Sequence, residues 1–324
     1  MNIYIQAAEQ ISIQQPLSEQ WMQQPVWHQE PFVQAINPAF RDYMAPNEAR
    51  RMGNLMKRAL VTTLKVLSDT GIEHPDAIIT GTCLGSLDYT ERLLSAMTEN
   101  GEEALSPTYF MQSTHNTVGS ALAIYTKTHG YNTTYSHGGI SFDLTILDAW
   151  MQMQLGHIHT ALVGGHDEMV ESYFKLLQKT GYVGTPGMVP CGEVAMSMLL
   201  TTDEHADNLC ELAGISIGKC PDVDIHQVDV IMTGVNGQPA NDALYQQLLS
   251  QWPEKPQAQY KHLFGENFTT SALGLYAAAH CLKQGSIPPF MLTADSAPLD
   301  HELRNILFVN CQGNSTTYIL LKAV

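Results

Sequence analysis

Asp76-Ala-Ile-Ile-Thr-Gly81 is the stretch that decides the fold, because the chain repeats it almost unchanged as Asp229-Val-Ile-Met-Thr-Gly234. Each copy is a short apolar run closed by glycine, the pattern of a strand buried on both faces. A second pair of segments lies at nearly the same offset: Ser120-Ala-Leu-Ala-Ile-Tyr-Thr-Lys-Thr-His129 and Ser271-Ala-Leu-Gly-Leu-Tyr-Ala-Ala-Ala-His280. A long, near-constant offset in a chain of 324 residues predicts two halves built to one plan, not a short-period solenoid. We divide them as residues 1–200 and a shortened 201–324, packed as one unit, with any active site where they meet.

Outward from the first copy, residues 1–45 read as irregular, with Pro, Gln and Trp interleaved. A single helix is predicted over 46–70, where Met52, Leu55, Met56, Leu60, Leu64 and Leu67 recur at helical spacing before Gly71. Further helices are predicted over 87–97, 116–129 and from Ser141 to Gly156. Strands are predicted over 77–80, 132–136, 160–163, 194–200, 228–233, 306–309 and 316–321. Strands alternating with helices imply α/β layers with mostly parallel pairing.

Net charge of −16 argues against nucleic acid, whose phosphates such a surface repels, and against strong direct docking of an acidic protein. Cysteines 83, 191, 210, 220, 281 and 311 form no CxxC pair, so neither a zinc site nor a disulfide framework is indicated. The start, Met1-Asn-Ile-Tyr-Ile-Gln-Ala-Ala, lacks the pattern of a signal peptide, and no apolar run is long enough to span a bilayer. A cytoplasmic protein without cofactor, metal or membrane partner is expected.

Several landmarks, in order, resemble the β-ketoacyl synthases, members of the thiolase-like condensing enzymes. Arg50-Arg-Met52 is similar to their Arg-Arg-Met stretch, and Thr80-Gly-Thr-Cys-Leu-Gly85 to their Gly-rich loop. Ser106-Pro-Thr-Tyr-Phe-Met-Gln-Ser-Thr114 resembles their Ser-Pro…Ser-Thr segment. Ala161-Leu-Val-Gly-Gly-His-Asp-Glu168 and Gly192-Glu-Val-Ala195 resemble a Gly-Gly-Ala-Glu strand end and a Gly-Glu-Gly-Ala turn. The resemblance runs from about residue 46 to the end. It implies a thiolase-like five-layer αβαβα fold of two duplicated halves with mixed sheets.

In that family a cysteine at a helix N-terminus takes the acyl chain, its thiol acidified by unsatisfied N–H groups, and two histidines assist. Carried onto this chain, the cysteine position falls on Gly139, within Tyr135-Ser-His-Gly-Gly-Ile-Ser141, where no cysteine occurs. The first histidine position falls at Gly234, in Met232-Thr-Gly-Val-Asn-Gly-Gln-Pro239. The second falls at Glu266, in Lys261-His-Leu-Phe-Gly-Glu266, with the family's lysine kept as Lys261. Loss of all three implies a non-catalytic relative. The second half is also compressed between Leu200 and Asp229, where the family carries extra helical structure.

Other residues invite chemistry. Cys83 lies outside the elbow and reads as packing. Ser136, His137 and Ser141 offer a replacement nucleophile and base, or plain turn chemistry with Ser141 as N-cap. His157 and His159 form an HxH pair without a third ligand nearby in sequence. His166-Asp-Glu168 closes a strand, with Glu168 structural, and Asp222, Asp224 and His226 read as solvated surface. By the resemblance, Tyr109, Phe110, Met111, Gln112, His115 and Asn116 precede or begin the dimer-interface helix and reach towards a neighbouring subunit's acyl tunnel.

The role implied is that of a chain-length factor in type II fatty acid, aryl polyene or polyketide assembly. Its partner would be a ketosynthase-like subunit, in a hetero- or homodimer, with acyl carrier protein engaged only indirectly. The alternatives are an acyltransferase or thioesterase using the Ser/His elbow with Glu266 as acid or base, an active β-ketoacyl-ACP synthase homologue, or an acyl-binding module.

Overall fold

Asp76 and Asp229, which open the repeated stretch, make the same contact in both halves. Asp76 Oδ2 accepts from the backbone N–H groups of His159 (2.8 Å) and Thr160 (3.0 Å). Asp229 Oδ2 accepts from those of Arg304 (2.7 Å) and Asn305 (2.8 Å). Each carboxylate ties the start of one strand to the start of its parallel neighbour and satisfies two backbone donors there.

The computed structural model describes residues 1–101, 105–221, 223–294, 296 and 299–324. Asp222 therefore lies outside the described residues. The strands are β1 (Tyr4–Ile11), β2 (Ala77–Gly81), β3 (Tyr131–Tyr135), β4 (Thr160–Asp167), β5 (Val194–Thr201), β6 (Cys210–Ile217), β7 (Val230–Thr233), β8 (Gln257–Gln259), β9 (Asn305–Gln312) and β10 (Ser315–Lys322). The helices are α1 (Pro46–Ala49), α2 (Asn54–Thr70), α3 (Leu87–Asn100), α4 (Pro107–Ser113), α5 (Thr117–Thr126), α6 (Ser141–Gln154), α7 (Glu171–Lys179), α8 (Pro239–Leu249), α9 (Lys261–Phe264) and α10 (Ser271–Gln284).

The strands form one sheet in the order β3-β2-β4-β5-β1-β6-β10-β9-β7-β8. Taken from either end, order and direction repeat. β2 runs parallel to β3 and β4, as β7 does to β8 and β9. β5 lies antiparallel between β4 and β1, as β10 does between β9 and β6. The halves join through the short pairing Tyr4↔Glu211 and Ile5↔Cys210.

Successive residues of the inner strands face opposite ways. Ile79, Val163, Met232 and Phe308 enter a central core, while Ile78 and Leu162 pack beneath α2 and α5, and Ile231 and Leu307 beneath α8. The middle layer is α6 and α10. α6 packs on β2, β4 and β6; α10 packs on β5 and β1 of one half and on β9, β10 and β6 of the other. Every residue of α10 from 271 to 282 is buried, which requires the small or apolar side chains it carries on all sides. This is the five-layer αβαβα arrangement with mixed sheets.

Several expectations are corrected. Residues 1–45 hold β1, the strand that bridges the halves; polar Glu9 and Gln10 hid it, Gln10 being fully buried and bonded to Gln15 O and Ser12 Oγ. The helix over 46–70 is two, because the chain turns extended at Gly53, where a Cβ would lie 2.8 Å from Tyr89. Pairing is mixed, not mostly parallel, since the β9–β10 hairpin and the β4–β5 and β1–β5 contacts run antiparallel. The second matching pair of segments is not equivalent. α5 lies between β2 and β3, so its counterpart is α8, whereas α10 corresponds to α6. Their packing differs too: α10 is buried on all sides, whereas α5 buries only Val118, Gly119, Leu122 and Thr126. Among the described residues between β6 and β7 there is no counterpart of α2. A loop with one 3₁₀ turn, Ile225–Gln227, lays Cys220, Val223 and Ile225 against the outer core.

Candidate functional site

At the C-terminal ends of β2, β3 and β4 the Gly-rich loop meets the elbow. Asp167, fully buried at the end of β4, accepts from Thr82 Oγ1 (2.6 Å) and from the backbone N–H groups of Cys83 and Leu84. Glu168 accepts from Ser86 Oγ and from the N–H of Asp88, fastening the start of α3. His166 beside them is buried, and burial pushes its pKa down to about 3, so the ring stays neutral. Cys83 has its thiol pushed up to about 12, by burial first and then by the Asp167 charge. Such a thiol is a poor nucleophile.

Gly139 lies in a single 3₁₀ turn, Gly138–Ile140, that runs into α6. A Cβ on Gly139 would lie 2.3 Å from Cδ and 2.5 Å from Oε1 of Gln312, so the Gln312 side chain occupies the space above the elbow. Below it, Asn310 Nδ2 donates to Gly139 O (3.0 Å) and to Asp143 Oδ2 (2.7 Å). Asp143 is fully buried, and desolvation raises its pKa against the hydrogen bond from Asn310.

Gly234 follows β7 directly and lies against three side chains. A Cβ there would lie 2.8 Å from the hydroxyls of both Tyr245 and Tyr260 and 2.9 Å from Lys261 Cε. Both tyrosines are fully buried, so no larger side chain fits. Lys261 and Glu266 form a buried ion pair of 2.8 Å, each side chain 1% exposed. Asn236 Nδ2 donates to the same carboxylate oxygen, Glu266 Oε2. The three positions therefore converge. Gly234 and Glu266 both lie against Lys261, and a cavity of about 220 Å³ holds Asn236 on one side and Gln312 on the other, with Tyr182, Gln238 and Asn241.

The alternative elbow residues do not assemble. Ser136 and His137 are exposed, and Ser136 Oγ only reaches Cys83 O at 3.5 Å. Ser141 sits one residue inside α6 instead of capping it. Its Oγ donates to Gly138 O (2.7 Å) and accepts from the N–H of His137 (2.8 Å), which closes the turn. Among the described residues no hydrogen bond joins the His137 ring to either serine. His115 Nε2 contacts Cys83 O at 3.2 Å, and Asn116 stands at the start of α5.

On α4, Phe110 and Met111 are 64% and 67% exposed, Tyr109 leans on Tyr89, and Gln112 is half-buried. The helix has no buried residue. Arg58 is buried in an ion pair with Glu193 (2.9 Å), so it joins no surface patch with the exposed Arg50 and Arg51. Asp224 caps its own 3₁₀ turn by accepting from the N–H of His226, and both residues are exposed. Among the described residues no group of three His, Cys, Asp or Glu is placed to hold a metal, and no helix is long and apolar enough to cross a membrane.

Sequence reading missed Gln312, Asn310, Asp143 and the two tyrosines. The available signal was the polar break Asn310-Cys-Gln-Gly-Asn314 after the apolar run of β9, at a strand end where two halves meet.

The family model for the N-terminal domain of β-ketoacyl synthases matches residues 19–222. No curated protein matches the chain in sequence. Among solved structures, the ishigamide ketosynthase/chain length factor superposes with a TM-score of 0.80 at 17% identity, covering 100% of this chain and 99% of that one. A ketosynthase (ApeO) in complex with its chain length factor (ApeC) from Xenorhabdus doucetiae gives 0.79 at 16% identity, with 100% and 98% coverage. A β-ketoacyl synthase from Burkholderia phymatum STM815 gives 0.77 at 15% identity, with 100% and 99% coverage. At such identities the likeness shows the fold.

Proposed function

Because the chain belongs to the β-ketoacyl synthase family, we propose that it is a member without condensation chemistry of its own, which pairs with an active ketosynthase and sets product length. The observation that carries this reading is the closure of its own site. The space above Gly139 is filled by Gln312, that beside Gly234 by two tyrosines and Lys261, and Glu266 is spent in an ion pair. No nucleophile stands at Gly139, and Glu266 Oε2 is taken by Lys261 and Asn236.

The surface around α4, α5 and β3 supports a protein partner there. Lys+Arg number 16 and Asp+Glu 32 in the chain, yet from residue 105 to 147 the only formal charges are Lys127 and the buried Asp143. Depletion of charge marks interface cores, and so do exposed apolar side chains gathered on one face. Phe110 and Met111 on α4 and Ile124 on α5, 80% exposed, have that character. β3 is the last strand of the sheet, with an unpaired edge and no charge to guard it. The solved structures of ketosynthases with chain length factors support such a partner as the occupant.

In this reading Tyr109, Phe110, Met111, Gln112, His115 and Asn116 stand towards the partner's acyl chain and limit its growth by bulk. The product class is a type II fatty acid, aryl polyene or polyketide chain, made in the cytoplasm. Acyl carrier protein, which is acidic, would dock on the partner and not on a chain of net charge −16. The test is the chain alone. Incubated with acyl thioesters, it is expected to form no covalent adduct by mass spectrometry and to release no thiol. Turnover that Ser136→Ala or Ser141→Ala abolishes would establish the acyltransferase or thioesterase reading instead.

A further inference from the structure

A cavity of about 830 Å³ lies away from the elbow, at the opposite ends of the same three parallel strands. Each strand is entered through a loop that brings histidine to it. His74 precedes β2, His129 precedes β3, and His157 and His159 precede β4. These four are among 13 histidines in the chain, and Lys127 joins them. All five residues are exposed.

Two of the rings are held in place. His74 Nδ1 donates to Thr126 O (2.8 Å), because a carbonyl can only accept, and that leaves Nε2 as the outward nitrogen. His157 Nδ1 lies 2.9 Å from Gln152 Oε1 in the same sense. His159 Nδ1 contacts Thr202 Oγ1 at 3.3 Å. Lys127 occupies a left-handed conformation (φ 54°), which is unusual for a residue with a side chain. It does so at the end of α5, with its side chain in the cleft.

The charged neighbours leave the cleft cationic when the rings are protonated. Asp76 is committed to the N–H groups of His159 and Thr160 and is held below the usual carboxylate range despite partial burial. Tyr131 donates to Asp148, which also accepts from Gln152 and so faces its own two partners. Glu73, 4.0 Å from His74 Nε2, is a carboxylate positioned to compete.

We propose that this cleft binds a small phosphorylated molecule carrying at least two negative charges, and does so when its imidazoles are protonated. A protonated imidazole presents its outward Nε2 as a donor, so charge-assisted hydrogen bonds to a phosphate become available. The cavity is larger than a single phosphate needs, and Pro75, Ile158 and Tyr131 supply an apolar wall for the rest of the ligand. Lys127, His129 and Tyr131 adjoin the α5 and β3 face given to the partner, so the site is tested on the unpaired chain.

The probe is inorganic pyrophosphate, titrated calorimetrically into the full chain near pH 6 and near pH 8. Saturable binding is expected at the lower pH, weaker by about tenfold or more at the higher one. It should be lost in the triple variant Lys127→Gln/His129→Gln/His157→Gln, whose exposed substitutions leave the melting temperature unchanged. Absence of binding near pH 6, equal affinity at both pH values, or full affinity in the variant would each overturn the proposal. A response of the rings to Zn²⁺ with none to pyrophosphate would also overturn it, in favour of a metal site.

Discussion

A thiol placed at Gly139 has no room while Gln312 keeps its position, and this can be read as a rate. Overpacking of this kind costs about 1–3 kcal/mol, or roughly ten- to a hundredfold in access. Gly139→Cys is therefore expected to react slowly with iodoacetamide, and Gly139→Cys/Gln312→Ala at least tenfold faster; equal rates would mean that Gln312 does not close the elbow. The Lys261–Glu266 pair makes a second statement at this scale. Lys261→Met leaves a carboxylate buried without its partner and should cost about 3–5 kcal/mol of unfolding free energy in denaturant titrations. Adding Glu266→Gln should recover much of that loss.

Glu9 gives a pH dependence with a defined sign. Burial, only partly offset by Lys65, raises its pKa from 4.5 to about 7. Across that interval the unfolded carboxyl is the first to lose its proton as pH rises, so stability falls through the window and stays reduced above it. Glu9→Gln should therefore stabilise the protein at pH 8, by about 3 kcal/mol for a shift of this size, and have little effect at pH 4. Thermal melts at the two pH values decide it.

Among the elements, α10 shows how burial overrides propensity. Gly274 sits mid-helix, where alanine would ordinarily gain about 1 kcal/mol. Here a Cβ would lie 2.6 Å from both Phe308 and Tyr260, so Gly274→Ala should destabilise, seen as a lower melting temperature. This scale also shows what was legible in the sequence. β2 and β7 were readable because a strand buried on both faces leaves an uninterrupted apolar run, and the leading aspartates mark the repeat. β1 was not, since Glu9 and Gln10 interrupt its pattern: Gln10 is satisfied by the turn that follows it, and Glu9 lies against Lys65 of α2. The α5–α10 likeness was misleading, because similar letters stand on an outer helix in one half and on a fully buried one in the other. At the site, the glycines and Glu266 were legible as departures from a family pattern. Gln312, Asn310 and Asp143 were not, because they meet the elbow across the two halves and no spacing records that.

For the whole molecule, two surfaces depart from the acidic average: the histidine cleft and the uncharged face of α4, α5 and β3. The second bears on the central claim. A stable interface there is expected to bury roughly 1,200–2,000 Å² in total, with Phe110, Met111 and Ile124 near its centre. Phe110→Asp and Ile124→Asp together should weaken pairing while leaving the isolated chain folded.

The decisive measurement is product length in a reconstituted pair. The chain would be co-purified with a ketosynthase bearing its cysteine and both histidines, supplied with malonyl and acyl carrier proteins, and the products weighed by mass spectrometry. A complex should form, condensation should vanish when the partner's cysteine is replaced by alanine, and Phe110→Ala or Met111→Ala should lengthen the products. If no complex forms, or if condensation survives loss of the partner's cysteine, or if product length ignores residues 110 and 111, the chain is not a length-setting subunit.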